Sequence, residues 1–194
     1  MENLPKGATI GTGSPRRKRQ ILLARPDLEC VDVRGNLDTR IRRVLVEKKQ
    51  DAVVVAQAGL LRLKKYQKYA RTIPENVLLP AVGQAALGIQ VRECDVETLK
   101  KVKRINHEKS FTETAMERDF LRALEGGCRV PVGISSRAVK GKILIEVAVF
   151  STKSSDFLKE SVSVSAIQVK SAGKILAKKL LKKGAGLFLK EARS

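Results

Sequence analysis

Short apolar stretches alternate with amphipathic stretches over the first third of the chain. Strands are predicted at residues 8–10, 30–33 and 52–56, and the last is a β-branched run typical of a strand buried on both faces. After the first strand, Ser14 is placed to cap a helix whose first residue is Pro15. Strands that alternate with helices at this spacing favour βαβ crossovers and a mainly parallel sheet.

The middle of the chain has a different pattern. Residues 81–91 are small and apolar, and residues 87–91 favour a further strand. A polar linker then leads into a helix predicted over residues 108–124, with Phe111 and Phe120 on its apolar face.

Strand-type alternation begins near residue 130. It predicts strands at 130–134, 143–150 and 161–165, the first two joined by a turn around Gly141. A final helix is predicted over 167–182. The fold class expected from the whole pattern is α/β: a parallel three-layer βαβ domain followed by a smaller α+β domain with an antiparallel sheet.

Composition narrows the protein class. Among the 194 residues, 43% are hydrophobic, so wholesale disorder is not expected. No apolar run is long enough to span a bilayer, and the first twenty residues lack a signal-peptide core. Three widely spaced cysteines and one histidine argue against a disulfide framework and a metal site. We therefore expect no metal and a reducing, cytoplasmic location.

The net charge points to an anionic partner. The chain carries 39 Lys and Arg against 20 Asp and Glu, a formal charge of +19. Nucleic acid, an acidic membrane surface and an anionic small molecule all fit such a charge. Aromatic residues are only 4% of the chain, fewer than a stacking-based single-strand binder would need.

A run of cations occupies the first turn of the first predicted helix. Arg16, Arg17, Lys18 and Arg19 follow the glycine-containing loop that ends at Ser14. The positive end of the helix dipole makes cations unfavourable there, and free backbone N–H groups at the same place favour an anion. Either a bound anion compensates the run, or the run is a solvated basic face.

The two following units repeat this arrangement. Arg34 closes the second strand, Arg40 lies one turn into the next helix, and Arg62 lies just inside the third helix. The carboxyl ends of parallel strands share one edge of a sheet, where ligands bind. We therefore predict that Arg16, Arg17, Arg34, Arg40 and Arg62 converge on one crevice suited to a ligand with several carboxylates or phosphates. Arg42 and Arg43 are interpreted as surface charges.

Two further motifs have competing interpretations. Gly11 and Gly13 resemble the start of a dinucleotide-binding fingerprint, but Arg16 stands where the third glycine should be. Lysines recur every fourth residue along the last helix, at Lys170, Lys174, Lys178 and Lys182. Such a stripe suits a membrane or nucleic-acid surface, but the interpretation we favour is the solvated side of an amphipathic helix.

Cys128 is the candidate nucleophile. It follows Gly126 and Gly127, which predict a helix C-cap and an exposed loop, and Arg129 beside it favours the thiolate. Cys30 is expected in the core, and Cys94 lies in a polar linker. Taken alone, these features leave a reactive and an inert Cys128 both open.

Several motifs together resemble the porphobilinogen deaminase family, in family order and over essentially the whole chain. The stretches that carry the resemblance are Gly11-Thr12-Gly13-Ser14-Pro15-Arg16-Arg17, Arg34-Gly35-Asn36, Gly59-Leu60-Leu61-Arg62-Leu63, Leu79-Pro80-Ala81-Val82-Gly83-Gln84, and Leu124-Glu125-Gly126-Gly127-Cys128-Arg129-Val130-Pro131. Three positions depart from the family pattern: Gly13 and Pro15 replace the first serine and the leucine of its Ser-Ser-Leu-Arg-Arg motif, and Ala85 replaces the last glycine of Gly-Gln-Gly.

The resemblance implies a transferase of tetrapyrrole (haem) biosynthesis that links porphobilinogen units head to tail into hydroxymethylbilane, releasing ammonia. The growing polypyrrole hangs from a dipyrromethane cofactor, attached by a thioether to the cysteine that matches Cys128. The family's carboxylate-binding residues match Ser14, Arg16, Arg17, Arg34, Arg40 and Arg62. On this basis residues 1–77 form the carboxylate-binding α/β domain and residues 105–194 the cofactor-attachment domain.

The resemblance also implies that a lobe is lacking. Family members carry, before the matched part, a lobe whose aspartate is catalytic, and no such motif occurs here. Residues 78–104 match the segment that returns to that lobe and the linker after it. We expect the chain alone to be inactive, and residues 78–92 to repack on their own chain or to pair with a second copy. The partners expected for the chain are a separate N-terminal lobe or a second copy of itself. A nucleic-acid- or polyanion-binding module is the alternative function.

Overall fold

The computed structural model describes residues 1–124 and 130–192. Helices and strands alternate in the first third, and two long helices pack beside a hairpin-based sheet in the last half. The elements are β1 (Thr9–Gly11), α1 (Pro15–Ala24), β2 (Glu29–Val31), α2 (Leu37–Leu45), β3 (Ala52–Val53), α3 (Gln57–Leu63), α4 (Val96–Lys103), α5 (Glu108–Ala123), β4 (Val132–Val139), β5 (Lys142–Phe150), β6 (Phe157–Val164), α6 (Val169–Lys182) and α7 (Ala185–Glu191).

The N-terminal unit is a small parallel sheet with strand order β2-β1-β3. Ile10 of the central strand lies opposite Cys30 on one side and Ala52 on the other. Ile10 and Ile21 of α1 are fully buried in a small core that continues to Val54. Helices α1 and α2 pack against this sheet because its apolar face must be covered by another element.

The C-terminal unit has the larger core. Strands β4, β5 and β6 form an antiparallel sheet in that order, and α5 and α6 pack on each other beside it. The helices approach closely at Gly173, where an added Cβ would contact the backbone oxygen of Met116 and lie 2.9 Å from the backbone nitrogen of Phe120. Met116, Phe120 and Leu176 are fully buried there.

Residues 79–80 join the two units. The backbone N–H of Ile134 in β4 donates to the carbonyl oxygen of Pro80 at 3.0 Å. Leu79 is buried in a small cluster with Ala148 and Phe150 of β5. The segment after α3 is therefore fastened to the C-terminal sheet before the chain enters α4.

The predicted fold class is confirmed: a parallel α/β unit precedes an α+β unit with an antiparallel sheet. The strand predicted at 52–56 is shorter, covering Ala52–Val53, and its two residues are only half-buried. The reason is that β3 is an edge strand, paired with β1 on one side among the described residues.

Three further differences concern individual segments. Residues 87–91 form no strand, and α4 and α7 were not predicted. Phe111, assigned to the apolar face of α5, is 61% exposed because the first turn of that helix extends beyond the core. Of the segment expected to repack, Leu79 is buried, whereas Leu87 and Ile89 remain exposed.

Candidate functional site

The site is built at the start of α1, where β1 ends. The Ser14 hydroxyl accepts a hydrogen bond from the backbone N–H of Arg17 at 3.5 Å, and Pro15 is the first helical residue, as predicted. No acidic residue lies in the first turn. The positive end of the helix therefore carries arginines and has no neutralising carboxylate of its own.

Arg16 is a buried cation, with 6% of its surface exposed. Its guanidinium donates to the carbonyl oxygen of Leu79 and, at 3.1 Å, to the side-chain oxygen of Gln84. Burial and, to a lesser extent, the positive charge of Arg17 together lower the pKa of Arg16 to about 10. Both acceptors are neutral, so the charge of Arg16 is solvated by dipoles alone.

Arg17 and Arg40 approach each other from α1 and α2. The Arg17 guanidinium donates to the carbonyl oxygen of Val54 at 2.9 Å, and Arg40 Nε donates to the carbonyl oxygen of Gly35 at 2.8 Å. Burial lowers the pKa of Arg17, and the repulsion from Arg40 lowers it further. The starts of α1 and α2 therefore bring the positive charges of Arg17 and Arg40 close together.

Arg62 and Arg34 have different surroundings. Arg62 donates to the carbonyl oxygen of Ala85 at 3.3 Å, beside the Gln84 that binds Arg16. Arg34 instead forms an exposed ion pair with Asp32, at 3.4 Å. Arg17 thus lies close enough to both Arg16 and Arg40 for their positive charges to repel one another. Arg62 reaches the same segment, residues 84–85, that holds Arg16.

A cavity of about 900 Å³ opens beside Arg16 and Arg17. Arg16, Arg17 and Gln84 form part of its wall, and apolar side chains, among them Ile41 and Leu60, form much of the remainder. The lining also includes the carboxylates Glu2, Asp51 and Glu75, so only the part of this mainly apolar cavity next to Arg16 and Arg17 is cationic. That part suits a ligand that has both carboxylates and a flat apolar framework.

The charge of this cluster is uncompensated within the described part of the chain. None of Arg16, Arg17, Arg40 and Arg62 has a carboxylate partner there, and each donates to neutral oxygens. A buried guanidinium gains most from a paired carboxylate, to which it can donate two parallel hydrogen bonds. We refer to these four residues as the arginine cluster.

The other predicted site residues have the following positions. Cys128 and the glycines before it lie outside the described residues. Cys30 is half-buried, and burial raises the pKa of its thiol, whereas Cys94 is exposed. Arg16, at the third glycine position of the dinucleotide fingerprint, fills the space beside the helix start with its side chain. The four stripe lysines of α6 are all exposed.

Sequence reasoning missed three polar residues at this site. Gln20 lies one turn after Arg16 and is buried against Leu79. Gln84 holds Arg16, and Glu117 of α5 is buried beside Gly83. Gln20 had a signal, since a glutamine four residues after Arg16 falls on the same helix face. The other two were visible only as members of motifs.

Two absences hold for the described residues. Across 1–124 and 130–192, no three His, Cys, Asp or Glu side chains are grouped so that they could hold a metal ion. Over the same residues, no helix has the length and apolar character that crossing a membrane requires.

Comparison with known proteins matches both units. A family model described as "Porphobilinogen deaminase, dipyromethane cofactor binding domain" matches residues 1–100, and one described as "Porphobilinogen deaminase, C-terminal domain" matches residues 111–182. Neither is described as a nucleic-acid-binding protein, so the alternative suggested by the charge receives no support from them.

Curated relatives give the same family. The chain is 43% identical over 192 residues to a porphobilinogen deaminase of Campylobacter concisus, covering 98% of this chain and 62% of the relative. It is 42% identical to porphobilinogen deaminases of Desulforudis audaxviator and Pelotomaculum thermopropionicum, covering 100% of this chain and 62% of each relative. The chain therefore spans less than two thirds of the length of these relatives.

Proposed function

Because the chain belongs to the porphobilinogen deaminase family, we propose that it is the carboxylate-binding and cofactor-carrying part of a porphobilinogen deaminase. The whole enzyme would condense porphobilinogen into hydroxymethylbilane and release ammonia. The proposed location is the cytoplasm, where a reducing environment keeps a nucleophilic thiol available.

One observation carries this proposal: the arginine cluster has cationic side chains without carboxylate partners in the described structure, and two of its members, Arg16 and Arg17, line a cavity of about 900 Å³. Each pyrrole unit of the proposed substrate carries an acetate and a propionate. Such carboxylates would relieve the repulsion between Arg17 and Arg40 and supply the negative partner that the Arg16 guanidinium lacks.

The proposed cofactor suits the same residues. Arg16, Arg17 and Arg40 would bind the acetate and propionate groups of dipyrromethane, with Ser14 at the start of α1 beside them. Cys128 is the proposed attachment point, and Arg34 and Arg62 are proposed as further carboxylate ligands. When bound, dipyrromethane supplies the anchor from which the pyrrole chain grows. The protein's part is to hold the carboxylates and to keep the pyrroles beside the apolar wall.

The proposal includes an incomplete catalytic site. Proton transfer during ring coupling needs an acid–base group beside the reacting pyrrole. Asp32 is paired with Arg34, and Asp38 lies in the first turn of α2, where it stabilises the helix start. The family resemblance assigns the catalytic aspartate to an N-terminal lobe outside these 194 residues, so the isolated chain is expected to be inactive.

Turnover and intact mass test this proposal together. The purified chain is incubated with porphobilinogen, alone and with a separately expressed N-terminal lobe. Without the lobe we expect no hydroxymethylbilane above background and a chain mass mostly without cofactor. With the lobe we expect turnover and a covalent mass increase that Cys128→Ser abolishes and the control Cys94→Ser retains. Turnover by the chain alone, or a mass increase that survives Cys128→Ser, would contradict the proposal.

We further propose that the apolar segment 85–92 is the docking segment for that lobe. Leu87 is 76% exposed and Ile89 58% exposed, with no cover from the described part of this chain. The chain exposes 12647 Å² of surface, whereas a compact monomer of this mass exposes about 9,100 Å². Residues 87–91, in the middle of this segment, form no strand here, so their backbone can pair with an added sheet edge.

Sedimentation velocity tests the docking segment. A double substitution, Leu87→Glu with Ile89→Glu, should abolish association with the N-terminal lobe, because two carboxylates cannot be buried at the contact. Ile175→Glu changes an exposed apolar residue on α6 and serves as the control. Association that survives the double substitution would overturn the assignment. Concentration-dependent dimerisation with no affinity for the lobe would favour self-association instead.

A further inference from the structure

Glu117 is a buried carboxylate at the contact between the C-terminal unit and the arginine cluster. It lies on α5 and is 9% exposed. One carboxylate oxygen accepts a hydrogen bond from the backbone N–H of Gly83 at 2.6 Å, and the other accepts one from the hydroxyl of Ser136 in β4 at 3.4 Å. A residue of the C-terminal unit therefore holds the loop around Gly83, whose next two residues contact arginines of the N-terminal unit.

The loop that Glu117 holds is the one that contacts the cluster. Gly83 has φ +64° and Ala85 has φ +73°, so the backbone is in the left-handed region on both sides of Gln84. The Gln84 side-chain oxygen accepts from the guanidinium of Arg16 at 3.1 Å. The Ala85 carbonyl accepts from Arg62 at 3.3 Å. Fixing Gly83 thus fixes acceptors of two clustered arginines.

A charged carboxylate is energetically unfavourable at this buried position. Glu75 and Glu113 are close enough to repel the charge of Glu117, and burial penalises it further. An apolar side chain would avoid both costs, but it would leave the N–H of Gly83 without this acceptor. What Glu117 adds is therefore a strong acceptor aimed at one backbone position.

We propose that Glu117 is a positioning residue for carboxylate binding: through the N–H of Gly83 it holds Gln84 and Ala85 where they orient Arg16 and Arg62. This inference rests on the proposed role of the arginine cluster. It makes the geometry of the cluster depend on the unit that carries Cys128, the proposed cofactor attachment point.

Calorimetric binding of mellitate (benzenehexacarboxylate) to the full chain at fixed ionic strength tests the proposal, at a temperature where circular dichroism shows each variant folded. Glu117→Ala should weaken binding about tenfold, the effect of losing one charge-assisted hydrogen bond. Glu117→Gln keeps an acceptor oxygen at the same reach and should bind within about twofold of the original chain. Glu117→Asp keeps the charge but shortens the reach, and should weaken binding severalfold.

Glu108→Ala is the control, because it removes an exposed carboxylate from the same helix and matches the change in net charge. It should leave affinity unchanged. If Glu117→Ala does not fold, the contrast between the Gln and Asp variants decides the question. Equal affinity in all Glu117 variants would overturn the positioning role while leaving the arginine cluster intact. Failure of the original chain to bind mellitate would overturn the cluster itself, and this inference with it.

Discussion

The side chain of Gln20 and the backbone of Leu79 are joined by two hydrogen bonds. The N–H of Leu79 donates to Gln20 Oε1 at 2.7 Å, and Gln20 Nε2 donates to the Leu79 carbonyl at 3.2 Å. That carbonyl also accepts from the guanidinium of Arg16. Because Leu79 packs against β5, Gln20 fastens α1 to the C-terminal unit through this segment.

Replacing Gln20 by alanine should destabilise the chain. The substitution leaves the buried N–H of Leu79 without a partner, which costs about 2–3 kcal/mol in the free energy of unfolding. Urea unfolding followed by circular dichroism measures this loss. Lys18→Ala, on the exposed side of the same helix, should change stability by no more than about 0.5 kcal/mol. Equal effects of the two substitutions would show that the hydrogen bonds to Leu79 contribute nothing.

Gly173→Ala tests the close approach of α5 and α6. The new methyl group would meet the backbone of Met116 and Phe120, so the helices must separate. We expect a loss of about 1–3 kcal/mol, the range for overpacked cores. Gly186→Ala is the matched control in α7, where nothing lies within 4 Å of the added atom. It should stabilise the chain by up to about 1 kcal/mol through helix propensity. Opposite signs in thermal unfolding are the expected result, and equal signs would contradict the packing.

Arg40→Ala separates ligand binding from stability. The substitution removes the repulsion felt by Arg17 and one hydrogen bond to Gly35, so the free energy of unfolding should stay within about 0.5 kcal/mol. The rise in melting temperature produced by mellitate should shrink, because affinity falls about tenfold with the loss of a charged ligand group. Arg42→Ala makes the same charge change at an exposed position and should keep the full rise. An equal rise in melting temperature for the two variants would show that mellitate responds only to the net charge of the chain and not to the arginine cluster.

The pH dependence of stability should reveal Glu117. Burial raises the pKa of this carboxyl above its ordinary value of 4.5, although Gly83 and Ser136 donate to it. The folded chain therefore holds the proton more tightly than the unfolded chain does. As pH falls through the raised pKa towards 4.5, the contribution of Glu117 to stability rises; at higher pH it is constant and smaller. Relative to Glu117→Gln, the original chain should thus gain stability between neutral pH and about 4.5. If the free energies of unfolding of the original chain and of Glu117→Gln changed equally with pH over that range, the raised pKa of Glu117 would be contradicted.

Local features were predictable because neighbours along the chain decide them. Ser14 caps α1 and Asn36 caps α2 through hydrogen bonds that span three residues. The hairpin turn at Gly141, where φ is +75°, follows from a glycine between two apolar alternations. The same holds for α5, whose observed bounds, Glu108–Ala123, differ by one residue from the predicted ones.

The sequence by itself therefore determined the order of the two units, the starts of α1, α2 and α5, and the placement of arginines at the first two, since periodicity and capping act over a few residues. The tertiary structure alone decided which arginines meet: Arg40 faces Arg17, while Arg34 turns to Asp32. It also decided that Gln20 and Glu117 hold backbone groups 59 and 34 residues away. Such contacts join residues that are far apart in the sequence, and they form only when the N-terminal and C-terminal units pack together. Patterns that act over a few residues do not encode them.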